Sequence, residues 1–220
     1  TKNGQSDIYV YTILNTKIQA ITSDAYDDLY PTFISGGSRI VWSSNRPVDT
    51  LYPRSDKIFN TDNLDLFATD NRELKNDTIA IWRLTNSPQI NEVSSRELAN
   101  GLVRFFSDRS TVNRQHAVKI DSAISYVDTI THYDYFFSEY ALGDNQFSLV
   151  DASFSKETGL SHSVYLQDGR YRIYENELDL GELANQAALR VKSKDIREEE
   201  SKLTSSALED PMEVLEPLYY

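Results

Sequence analysis

Apolar and polar positions alternate in short runs along most of the chain, and clusters of Asp, Asn, Ser and Gly separate the runs. Ser6-Asp7-Ile8-Tyr9-Val10-Tyr11 is rich in β-branched and aromatic residues, Asn15-Thr16 makes a polar corner, and Lys17 to Thr22 sets Ile18 and Ala20 between polar neighbours. That is the pattern of a β-hairpin. Asp28-Leu29-Tyr30-Pro31-Thr32-Phe33 and Ile40-Val41-Trp42 read as two further strands around a Gly36-Gly37 turn, where glycine tolerates positive φ. Pro31 is expected at the start of its strand, where a missing N–H costs little.

The same pieces return. Leu64-Asp65-Leu66-Phe67-Ala68 echoes Asp7-Ile8-Tyr9-Val10, and Thr78 to Thr85 echoes Lys17 to Thr22. Ile21-Thr22 recurs 63 residues on as Leu84-Thr85, and Ile40 to Arg46 recurs at the same interval as Val103 to Arg109. A fainter copy begins at His116. There His116 to Ile120 stands for one strand, Ser125 to Thr131 for the next, Tyr133 to Tyr140 for a third and Gln146 to Asp151 for a fourth, with Ile130-Thr131 lying 46 residues after Leu84-Thr85. Ser163 to Gln167 and Arg170 to Tyr174 flank Asp168-Gly169, a pair suited to a type I′ hairpin turn. From Leu180 the period changes: Leu180, Leu183, Ala184, Ala187, Ala188 and Val191 predict an amphipathic helix to about Leu203. Asp210-Pro211 ends it, and Met212 to Tyr220 is an apolar and acidic tail.

Four-stranded units recurring at about 40–60 residues are the sequence sign of a β-propeller, whose blades stack because none can bury its faces alone. The expected fold is all-β: part of a β-propeller, with about three and a half four-stranded blades over residues 1–178 and a C-terminal α-helical extension with its tail over 179–220. With strands a to d counted from axis to rim, residues 7–22 supply c and d, 30–85 a second blade, 94–131 a third and 133–175 a fourth. The chain thus opens within a repeat, and further blades are expected ahead of it, since so few would leave sheet edges open. Trp42 and Phe105 share one repeat position and are expected in the core, with Tyr9, Phe67, Phe147 and Tyr165. Arg46 and Arg109 share another and are expected to bond a neighbouring turn.

Composition narrows the function classes. The 220 residues are 40% hydrophobic and 25% charged, as in ordinary globular proteins. With 22 basic against 34 acidic side chains the net charge is -12, which opposes a nucleic acid or an anionic membrane surface as the main partner. Cysteine is absent, so disulfides and thiolate metal sites are excluded while the compartment stays open. No run approaches the apolar length of a membrane-spanning helix.

Candidate chemistry is thin. Asp24, Asp27 and Asp28 could form a cation site or half of an acid–base pair, but capping a turn between blades is the commoner use of aspartate at such a place. Asp56, Asp62 and Asp65 lack the spacing of a calcium loop. His116, His132 and His162 are too scattered for a zinc pair on one element. No Gly-x-Ser-x-Gly nucleophile elbow occurs. The expectation is therefore no catalytic, cofactor-binding or metal residue. The segment from Pro47 to Asn63 carries prolines and aspartates without alternation and has no counterpart in the third copy. Leu51, Tyr52, Arg54, Lys57 and Phe59 there offer the aromatic anchors and cations common in interfaces, and are the expected partner-binding residues. A merely tolerated insertion is the competing reading.

Asp7-Ile8-Tyr9-Val10, Ile21-Thr22, Asp28 to Phe33 and Ile40 to Arg46, taken together, resemble the TolB-like β-propeller repeat of bacterial periplasmic and outer-membrane-associated proteins. The resemblance is close over 7–109 and weak over 116–175, and Ile34-Ser35-Gly36-Gly37 stands where the family has Ser-Pro-Asp-Gly. It makes Asp28, Pro31, Trp42, Arg46, Phe105 and Arg109 structural repeat positions. It implies a non-catalytic protein–protein scaffold in a multi-subunit cell-envelope complex, periplasmic and outer-membrane-associated, with other envelope proteins as partners, no nucleic acid and no membrane span in this chain. The repeat also resembles the propellers of prolyl-oligopeptidase-type hydrolases, whose catalytic domain would then lie outside this chain. A carbohydrate-binding propeller is the remaining reading.

Overall fold

The computed structural model describes residues 4–47, 63–71, 79–87, 89–99, 101–129, 131–143, 145–181 and 183. Within them the chain forms thirteen strands in four antiparallel sheets, each built from strands consecutive in sequence. The first pairs β1 (Tyr9–Thr12) with β2 (Lys17–Ala20). The second runs β3 (Asp28–Ile34), β4 (Arg39–Ser44), β5 (Asp65–Asp70) and β6 (Ile81–Arg83). The third runs β7 (Glu92–Ala99), β8 (Leu102–Ser107), β9 (Arg114–Val127) and β10 (Thr131–Ala141). The fourth runs β11 (Ser148–Phe154), β12 (Leu160–Gln167) and β13 (Arg170–Glu177).

The sheets stack face to face, because successive side chains of a strand point to opposite faces and here both faces are apolar. On β4, Ile40 and Trp42 join Phe67 and Ile81 in a core with Ile8 and Ile21 of the first sheet. Val41, one residue over, points the other way into a core with Val103, Phe105, Val118 and Ile120 of the third. Phe106 closes a smaller core with Leu149 and Ala152 of the fourth. Trp42, Phe67 and Phe105 are fully buried, each worth about 1.5–3 kcal/mol on burial. Glu97 ties three sheets at the hairpin ends: its Oε1 accepts the Ser35 N–H at 3.0 Å and its Oε2 the Lys156 ammonium at 2.9 Å.

Several expectations hold. The hairpin of 7–22, the four strands within 30–85 and the Asp168-Gly169 turn, with φ of 50° and 72°, are all present. Trp42 and Phe105 occupy equivalent core places, as expected. Other expectations change. Pro31 is not at a strand start: it lies in β3 within a register shift between Leu29 and Thr32, where the ladder is interrupted and no N–H is needed. β7 and β11 carry similar shifts near their starts. Tyr9 and Phe147 are exposed rather than core.

The third copy was misaligned by the sequence pattern. Ser125 to Thr131 is not a separate strand: β9 runs unbroken from Arg114 to Val127, and Tyr133 to Tyr140 returns along it as β10 of the same sheet. Gln146 to Asp151 therefore begins the last sheet instead of continuing one, and that sheet has three strands. The helix expected from Leu180 to about Leu203 falls largely outside the described residues. Within them no α-helix is supported beyond one hydrogen bond, from the Leu183 N–H to the Asp179 carbonyl. Among the described residues no helix is long and apolar enough to cross a membrane, which says nothing of strands.

Candidate functional site: the joints between sheets

One set of hydrogen bonds joins every pair of consecutive sheets. The Ser6, Leu64 and Asn113 carbonyls accept from the Asp28, Glu92 and Leu149 N–H groups at 2.8, 2.8 and 3.0 Å. The N–H groups of the same three residues donate back to Asp27 Oδ1, Asn91 Oδ1 and Ser148 Oγ. A short oxygen-bearing side chain thus stands just ahead of the first strand, or at its first residue, in each joint. A second element supports the first two joints: Thr22 and Thr85 hydroxyls accept the buried Ile8 and Leu66 N–H groups, both at 2.9 Å.

Around the first joint lies a buried ionic cluster. Arg46 is fully buried, and its Nη2 donates to both oxygens of Asp28 at 2.8 and 2.9 Å while Nη1 meets Asp24 at 3.0 Å. Trp42 Nε1 donates to Asp28 Oδ1 at 2.9 Å, and the guanidinium lies over the Tyr26 and Phe67 rings. Asp24 also caps its own turn by accepting the Tyr26 N–H. Turn capping thus holds for Asp24, whereas Asp27 accepts the Ser6 N–H of the preceding sheet and Asp28 is spent on Arg46 and Trp42. Burial pushes the Asp24 carboxyl above its ordinary value, with Arg46 opposing.

Asp7, Asp24 and Asp28 place carboxylate oxygens within 4.8 Å of one another, a grouping that could hold a cation. Arg46 already brings a positive charge into it with two-sided hydrogen bonding, so the donor set fits a structural ion pair better than an additional ion.

The second joint repeats the plan with different residues. Arg109 takes the place of Arg46 and donates to Glu92 Oε1 at 3.0 Å and Ser87 Oγ at 2.8 Å. It meets Glu139 more closely, at 2.7 Å, and His116 Nδ1 stands 3.2 Å from the same Glu139 oxygen. Glu92 is fully buried, and burial pushes its carboxyl up to about 7, with the nearby Glu139 and Asp65 charges adding to the shift. Hydrogen bonding from His116 and Arg109 outweighs burial at Glu139 and holds its carboxyl below the usual value. Asp65 accepts from Arg83 and from the Ser87 N–H.

Of the expected residues, the structure brings Asp28, Trp42 and Arg46 together, and leaves Pro31 and Phe105 in backbone and core roles. Arg109 bonds the neighbouring turn through Ser87, as expected. Leu51, Tyr52, Arg54, Lys57 and Phe59 lie outside the described residues. Sequence reasoning weighed His116 and Asp65 only as metal ligands and set them aside, and it missed Glu139 and Asp7. Glu139 and His116 arrive from β10 and β9, and Asp7 and Asp65 hold one repeat position. His162 is exposed against Glu175 at 2.8 Å, on a different sheet from His116. Compared with known proteins, the chain matches no family model and no curated protein.

Proposed function

We propose that these sheets are blades of a TolB-like β-propeller, and that the chain serves as a non-catalytic, protein-binding scaffold in a bacterial cell-envelope complex. The observation that carries the blade reading is the joint repeated three times between sheets stacked face to face. The buried carboxylates favour scaffold over catalysis, because each engages an arginine, a backbone N–H or a neighbouring strand rather than an open cleft. The blade reading has a second support: Tyr9, Tyr11 and Ile18 are 51%, 56% and 67% exposed on the face of the first sheet turned away from the second. By repeat position that face matches the Trp42 and Phe67 side of the second sheet, which another sheet covers, as a preceding blade would cover this one. The envelope location rests on the resemblance of the repeat alone.

The test is purification of the tagged full-length protein from envelope fractions, beside a Leu51→Ala/Tyr52→Ala/Phe59→Ala variant, altered at the residues expected from the sequence to bind a partner. A stoichiometric protein partner whose recovery falls about tenfold in the variant is the expected result. Peptidase or esterase activity intrinsic to the purified protein would overturn the non-catalytic reading, and a partner retained in full by the variant would overturn the placement of the surface.

A further inference from the structure

On the fourth sheet and the turn before it lies an open cleft of about 390 Å³, lined by Asn145, Gln146, Phe147, Tyr165, Tyr174 and Asn176. Three of these residues are aromatic, three are amides and none is charged, in a chain of which 25% is charged. A polar cavity of about 420 Å³ shares Asn145, Tyr165 and Asn176 with it and carries the cleft onward to Ser161, Ser163 and the carboxylate-bearing Glu177. Both volumes lie in the range of small-molecule sites.

The aromatic walls are held in place before any ligand arrives. Tyr165 and Tyr174 meet edge to face with centroids 5.6 Å apart, and the Tyr174 hydroxyl donates to Gln167 Oε1 at 3.1 Å. Asn145 Nδ2 donates to the Phe147 carbonyl at 2.7 Å and to the Asn113 carbonyl at 3.3 Å, which fixes the turn presenting the Phe147 ring. Phe147 and Tyr174 remain 38% and 44% exposed. The Gln146 and Asn176 amides and the Tyr165 hydroxyl have no hydrogen-bond partner among the described residues.

The chemistry of this lining selects its ligand. An anionic ligand would find no countercharge in the cleft and would face Glu177 beyond it, and a purely apolar one would strip water from the amides without replacing their hydrogen bonds. A neutral pyranose meets both demands. Its polarised C–H face stacks on the electron-rich face of an aromatic ring, and its hydroxyls both give and accept, as do the amide side chains. We propose that this cleft binds a neutral oligosaccharide, with Phe147 and Tyr174 as stacking platforms and Gln146 and Asn176 reading the hydroxyls. The site lies on β12, β13 and the turn before β11 and uses none of residues 47–63, so the two proposals fail separately.

The experiment is calorimetric titration of the protein with maltohexaose, cellohexaose and chitohexaose, with an acidic oligogalacturonate and an unstructured Ser/Thr-rich peptide as controls. At least one neutral hexasaccharide is expected to bind. Tyr174→Ala should weaken that binding at least tenfold and Tyr174→Phe should keep it within about threefold, both variants showing wild-type circular dichroism. Asn176→Ala supplies a second reading, through the hydroxyl contacts instead of the ring, and should weaken the binding as well. Failure of all three neutral sugars to bind overturns the proposal. So does binding unchanged by both Tyr174→Ala and Asn176→Ala, or preference for the acidic sugar or the peptide.

Discussion

The two arginine-centred joints have the same backbone and different chemistry, and the difference shows what a repeat must keep. Both hold an arginine two residues past the second strand of a sheet, and both aim it at the carboxylate that opens the first strand. At Arg46 the shell is closed, with two aspartates, a tryptophan N–H and two aromatic faces around a fully buried guanidinium. At Arg109 an aspartate has become Ser87, the first carboxylate is the longer Glu92, and the arginine side chain is 39% exposed and drawn toward Glu139. The backbone bonds between sheets survive this exchange unchanged. The side chains of a joint are therefore adjustable as long as the charges remain paired, whereas the backbone bonds and the short side chain that accepts one of them are not.

The sharpest way to break the comparison is to remove each arginine. Arg46→Ala leaves Asp24 and Asp28 buried without their cation and should cost about 3–5 kcal/mol, read as a lower urea midpoint. Arg109→Ala should cost about 1–2 kcal/mol, because Arg109 is partly solvated and burial already raises the Glu92 carboxyl well above its ordinary value. Equal losses at the two sites would show that burial of the shell does not set the energy.

Next in size is a pH effect confined to the second joint. Glu92 has a folded-state value of about 7 against an ordinary 4.5, so the folded protein holds more protons than the unfolded one between them. Its contribution is fully present below pH 4.5 and is lost as pH rises to about 7, amounting to at most about 3 kcal/mol. Glu139 acts in the opposite sense, its lowered value favouring the folded state above pH 4.5. Glu92→Gln should remove the fall in stability between pH 4.5 and 7, measured by urea titrations at each pH; a slope equal to that of the unaltered protein would refute the assignment. The smallest expected effects come from Thr22→Ala and Thr85→Ala. Each leaves one buried N–H without its acceptor and should cost about 1–2 kcal/mol, and unequal losses would show that the joints are less alike than their geometry.

The joints were partly legible before folding was considered. Arg46 and Arg109, and Trp42 and Phe105, stand at one spacing because each depends on local order: a strand of fixed length, a turn, and a residue two places on. Ile21-Thr22 and Leu84-Thr85 were equally sound landmarks, since each Thr hydroxyl has a defined backbone partner. Thr131, the mark of the third copy, instead opens β10 opposite Val127. The equivalent place in the third sheet is held by Leu142, whose N–H meets the Gln115 carbonyl with no hydroxyl beside it. A likeness of residue type misled there because the hydrogen bond that defines the position was absent from the pattern. Glu139 and His116 were illegible for a related reason: β10 was assigned to the wrong sheet, and with it went every contact it makes.

By itself the sequence determined the all-β class, the hairpin order, the turn at Asp168-Gly169 and two of the three joints. These follow from side-chain alternation and turn chemistry, which act over a few residues. Tertiary structure alone decided where β9 ends, which sheet takes β10, that Asp28 pairs with an arginine instead of capping a turn, and that Phe147 faces a cleft instead of a core. Those outcomes depend on which strands lie side by side and which faces are covered. They are set by hydrogen bonds and burial between residues far apart in the chain, and no local pattern encodes them.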